Sequence, residues 1–137
     1  MYGLADEAPH GLKLPYETTA QGDWQCVDDP ASEHYDEIID RKQVAADWES
    51  AEELLRDDAL YTWVVDVAHN PKRLKGKGSC IFLHVWGGAS VPTSGCTAME
   101  QVRLQSLLES LDDTTLYVLL PKADYAALAA PWGLPPL

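Results

Sequence analysis

Two side chains able to do covalent chemistry stand twelve residues apart. They are His84, in Ile81-Phe82-Leu83-His84-Val85-Trp86, and Cys96, in Pro92-Thr93-Ser94-Gly95-Cys96-Thr97-Ala98-Met99-Glu100. A cysteine sulfur attacks carbonyl carbon as its thiolate, and an imidazole within reach is the base that produces it. Downstream, Leu104, Leu107, Leu108 and Leu111 recur at i, i+3, i+4 and i+7, the spacing of one helix face. Thr97 and Glu100 fit a capping box at the start of that helix. On this reading Cys96 lies beside the positive end of the helix dipole, which favours thiolate over thiol, as would a nearby imidazolium. These residue types suit covalent acyl transfer. The competing structural readings are a core thiol at a helix start and a satisfied histidine on a buried strand.

The elements that must position the pair are mostly strands. Residues 80–86 are apolar on both faces and predict a central strand, with Phe82, His84 and Trp86 on one side and Ile81, Leu83 and Val85 on the other. Trp86 then either walls a cleft beside His84 or packs in the core. Residues 61–68, rich in β-branched and aromatic types, predict a second strand ended by His69-Asn70-Pro71. Trp24-Gln25-Cys26-Val27 predicts a short one closed by the turn residues Asp28, Asp29 and Pro30, and residues 115–120 predict another, stopped by Pro121. A helical turn containing His34 and Tyr35 is expected within 32–40. A modest helix is expected over 50–58, where Ser50 and Glu53 form a second capping box ahead of Leu54 and Leu55. Residues 1–23 read as an irregular leader with short edge strands, and 122–137 as a proline-rich tail whose last nine residues hold no regular structure. The sum is one domain over 1–137, mainly β, with two or three peripheral helices.

Charge narrows the partners. Ten Lys and Arg against 22 Asp and Glu give a net charge of −12, and the basic residues gather only at Lys72, Arg73, Lys75 and Lys77. Binding to nucleic acid or to an anionic membrane needs a basic surface that this chain lacks. No run approaches the roughly 20 apolar residues of a membrane span, and residues 1–7 carry neither part of a signal peptide. Of the three cysteines, Cys26 and Cys80 would pair in an oxidising compartment and leave Cys96 free; in a reducing one both would be buried thiols. No CxxC or HxxxH spacing points to a metal, so no cofactor is expected.

The runs Gly78-Ser79-Cys80-Ile81-Phe82-Leu83-His84-Val85-Trp86 and Pro92-Thr93-Ser94-Gly95-Cys96-Thr97-Ala98-Met99 resemble the catalytic segment of the L,D-transpeptidase (YkuD-type) family. The similarity extends over roughly residues 24–121. It implies a β-sandwich or barrel-like scaffold and a cysteine enzyme of the bacterial cell wall, placed in the periplasm or envelope. Such an enzyme takes a peptidoglycan stem peptide, releases its terminal D-alanine and passes the acyl group to an amine. By position, Cys96 matches the nucleophile and His84 the general base. The backbone at Ser94, Gly95 and Cys96 matches the oxyanion segment, and Thr97 and Trp86 flank the substrate. The resemblance also implies that this chain lacks the family's first strands.

The chain departs from the family pattern at three places. Ser94 stands where a second histidine is usual, Ala98 stands where arginine or asparagine is usual, and the His84 to Cys96 spacing is short. These changes fall on recognition of the substrate carboxylate. A cell-wall amide hydrolase of L,D-carboxypeptidase type on the same fold, with water as acceptor, and a non-catalytic wall-binding module are the alternatives.

Overall fold

The computed structural model describes residues 1–136, and in it the protein is mainly β: eight strands in two sheets with two helices, an arrangement consistent with a β-sandwich carrying a few helices. The strands are β1 (Tyr2–Gly3), β2 (Glu17–Thr18), β3 (Trp24–Val27), β4 (Ile38–Asp40), β5 (Ala51–Glu53), β6 (Trp63–Asp66), β7 (Phe82–Val85) and β8 (Thr97–Met99), and the helices are α1 (Gln101–Leu108) and α2 (Lys122–Trp132). The larger sheet has the order β2-β1-β6-β7-β8, and the smaller β4-β3-β5. All four residues of β7 are buried, as its unbroken apolar run predicts for a strand covered on both faces.

Strand alternation sorts β6 and β7 into two cores. Val65, Leu83 and Val85 pack against Leu104, Leu108 and Leu111 on the α1 side. Val64 and Phe82 face the other way, onto Cys26 of the smaller sheet, Leu54 and Tyr61. A disulfide between Cys26 and Cys80 ties β3 to the residue two places before β7, which resolves the cysteine alternatives in favour of the bridge. Asn70 organises the turn after β6: its Oδ1 accepts from Leu74 N–H at 3.0 Å, and its Nδ2 donates to the Leu74 and Gly78 carbonyls at 2.9 and 3.0 Å. Lys72, Arg73, Lys75 and Lys77 stay exposed in that loop, where Arg73 pairs with Glu37. No helix among the described residues is long and apolar enough to cross a membrane.

Several elements differ from the sequence expectation. The helix predicted over 50–58 is replaced by β5, whose pairing with β3 sets Cys26 opposite Glu52. Here sheet formation overrides the local capping signal, and Leu54 is buried while Leu55 is 49 % exposed. Within 32–40, turns lead into β4 in place of a helical turn. Residues 97–99, expected to begin a helix, form β8 in parallel register with β7, and α1 starts only at Gln101, with no side-chain cap from Glu100. Residues 115–120 have the composition of a strand and no ladder partner, leaving Leu116 89 % exposed. The tail forms α2, in which five alanines outweigh Pro131 near the end; it closes at Gly133, whose φ of 64° is the left-handed value that glycine adopts most readily. β1, expected at an edge, lies between β2 and β6.

Candidate functional site

β7 and β8 place the two reactive side chains on one face of the larger sheet. Their parallel register sets Leu83 opposite Thr97, His84 opposite Ala98 and Val85 opposite Met99. One step back, Cys96 falls beside Phe82, whose N–H points at the Cys96 sulfur at 3.4 Å. Because side chains two apart share a face, Cys96 lies on the same side of the sheet as Phe82 and His84.

His84 is 6 % exposed, and its Nδ1 lies 2.7 Å from the carbonyl oxygen of Val85. A carbonyl only accepts, so Nδ1 carries a proton and donates it to Val85, and in the neutral tautomer the lone pair then lies on Nε2. Cys96 is half-buried and is the one free cysteine. Its S–H donates to the Cys80 carbonyl at 3.6 Å. Burial pushes the Cys96 thiol above its ordinary range; the Phe82 N–H opposes this, and the Glu52 carboxylate pushes it further up. The sequence expectation of a thiolate held by a helix dipole is therefore corrected. Three strand residues and Glu100 separate Cys96 from α1, so the sulfur rests as a thiol and a base must take its proton as it attacks.

The other expected site residues divide. Ser94 and Gly95 are exposed in the turn before β8, and Gly95 adopts a φ of 146° that a side chain would strain. Thr93 locks this turn, donating its hydroxyl to the Cys96 carbonyl at 2.6 Å and accepting from Gly95 N–H at 3.4 Å. The Gly95 amide is thus engaged within the turn. Trp86 is half-buried just past β7, its N–H on the Met99 carbonyl at 2.9 Å. Thr97 faces the opposite side of the sheet, where its hydroxyl meets that of Tyr117 at 2.5 Å. On that side lies a groove of about 860 Å³ between Val65, Leu83 and residues 111–119, with Gly95 at its rim.

Elsewhere, His69 bonds the Lys77 carbonyl in the basic loop and Asp29 accepts from Ala31 and Glu49 N–H groups. His34 pairs with Glu37. His34 and His69 thus serve local turns, and Asp29 ties its own turn to Glu49. Cys26, Asp36 and Cys80 lie within metal-ligand distance of one another, yet the two sulfurs are bonded to each other.

Sequence reasoning missed the wall of the site. Tyr61 packs its ring on His84, centres 5.1 Å apart and planes at 72°, and on Phe82 at 6.1 Å and 90°. Its hydroxyl donates to Glu52 at 2.8 Å, and the Arg56 guanidinium lies 5.0 Å from its ring centre. Arg56 is itself held by two bonds to Asp58, at 3.0 and 2.7 Å. The run Ala51-Glu52-Glu53-Leu54-Leu55 shows no period-two alternation that would have marked β5, and nothing in the sequence pointed to Tyr61. A comparison of the chain with family models, curated proteins and solved structures finds no match.

Proposed function

We propose that this protein is a cysteine-dependent acyltransferase of L,D-transpeptidase type, acting on peptidoglycan stem peptides. The observation that carries the reading is the placement of Cys96 and His84 on one face of the β7–β8 pair, with Nδ1 of His84 fixed by Val85. The motifs around both residues supply the substrate class. His84 Nε2 takes the thiol proton as Cys96 Sγ bonds to the carbonyl carbon of the diamino acid. The tetrahedral intermediate collapses when the imidazolium returns that proton to the departing D-alanine nitrogen, leaving a thioester on Cys96. An acceptor amine then loses a proton to Nε2 as its nitrogen bonds to the thioester carbon, the carbon–sulfur bond breaks, and the imidazolium returns the proton to the sulfur. No cofactor takes part.

Hydrolysis is the second reading. Ala98, opposite His84, presents only a methyl group where a charged side chain would grip a substrate carboxylate, so water as acceptor requires nothing that the site lacks. Incubation with a stem tetrapeptide, with and without an added amine, separates the two. Transfer gives an amide adduct, whereas hydrolysis gives tripeptide and D-alanine whether or not amine is present. Failure to release D-alanine under either condition would remove both readings.

A further inference from the structure

We infer that Tyr61 is a positioning residue for His84, and that Glu52, Arg56 and Asp58 exist in this arrangement to hold Tyr61 still. The inference rests on the proposed role of His84 as the base for Cys96. Val85 fixes one atom of the imidazole, Nδ1, but a single hydrogen bond leaves the ring free to tilt about it. Rotation of that kind would swing Nε2 away from the sulfur. The Tyr61 ring meets the imidazole nearly edge to face, at 5.1 Å and 72°, which is the geometry aromatic pairs prefer, and so blocks the tilt.

Tyr61 is in turn restrained on three sides. Its ring abuts Phe82, its hydroxyl is tied to Glu52 Oε1 at 2.8 Å, and Arg56 covers its face. Arg56 reaches the same Glu52 oxygen at 3.3 Å and grips Asp58. Asp58 also accepts from Leu60 N–H at 3.1 Å, anchoring the single 3₁₀ turn (Ala59–Tyr61) that presents the tyrosine. Two elements distant in sequence, β5 through Glu52 and β7 through His84, thus converge on one ring. In this scheme Tyr61 acts through the imidazole.

The test measures iodoacetamide alkylation of Cys96 as a function of pH in the whole chain and in the Tyr61→Leu, Tyr61→Phe, His84→Ala and Tyr61→Leu/His84→Ala variants. Tyr61→Leu should slow labelling near neutral pH about 10-fold or more, the usual scale for losing a group that orients a reactive one. Tyr61→Phe keeps the ring contact but loses the tie to Glu52, and should slow labelling by an amount between that of the parent and that of Tyr61→Leu, on the same principle. In the His84→Ala background Tyr61→Leu should have no further effect, because the group through which it acts is gone. Equal slowing by Tyr61→Leu in both backgrounds, or no slowing in the parent, overturns the inference. His84→Ala labelling at the parent rate would instead overturn the role of His84 itself. If Tyr61→Leu does not fold, NMR of the parent decides. Cross-relaxation between the His84 and Tyr61 ring protons supports the contact, and its absence refutes it.

Discussion

Reduction of the Cys26–Cys80 disulfide should cost the protein a large part of its stability. The bridge spans 54 residues and joins the two sheets, so it removes from the unfolded chain all conformations in which β3 and the start of β7 are far apart. For a loop of that length the chain-entropy relation gives about 4 kcal/mol at 25 °C. The folded state gives little back on reduction, because Cys26 is buried among Leu54, Tyr61, Val64 and Phe82 and two thiols fill nearly the same space. The measurement is urea unfolding followed by tryptophan fluorescence, with and without a phosphine reductant. The Cys96→Ala variant is used so that no third thiol can exchange. With a denaturant slope of about 2 kcal/mol/M, the midpoint should fall by about 2 M. A shift under about 0.5 M, on the same slope, would show that the bridge does not constrain the unfolded chain as argued.

Two further perturbations test the packing and the electrostatics. Leu108→Ala empties a fully buried position between α1 and the larger sheet and should lower stability by about 2–5 kcal/mol in the same urea assay. The thiol of Cys96 is raised in the folded state by burial and by Glu52. As pH climbs past the unfolded value of about 8.5, the unfolded chain therefore gives up its proton first. Stability of the parent relative to Cys96→Ala should be level below that pH and fall above it. A relative stability that rises with pH would mean that the thiolate is favoured in the fold.

The sequence was most legible where a buried strand repeats its pattern over four or more residues. The both-faces-apolar run of β7 was located with His84 on the Phe82 side, and β6 and β3 were found from their β-branched and aromatic content. Local end signals misled. Thr97 and Glu100 look like a helix start, but residues 97–99 gain more by hydrogen bonding along β7 than by capping α1. Ser50 and Glu53 mislead in the same way beside β3. Residues 115–120 have strand composition, and composition does not say whether a partner is within reach. For the candidate site, alternation along β7 put His84 on the Phe82 face, where Cys96 also lies, while the Tyr61 side of that face was not legible. Tyr61 and Glu52 lie nine residues apart, and only the pairing of β5 with β3 and the 3₁₀ turn set Tyr61 against the imidazole with Glu52 on its hydroxyl.

The central claim is that Cys96 sulfur, deprotonated by His84, takes an acyl group. Intact-protein mass spectrometry after brief mixing with a stem tetrapeptide tests it most directly. The account predicts a mass gain equal to the peptide less D-alanine, located on Cys96 by fragmentation, absent in Cys96→Ser and formed far more slowly in His84→Ala. No adduct on the parent protein, or one that forms equally fast without His84, would contradict it.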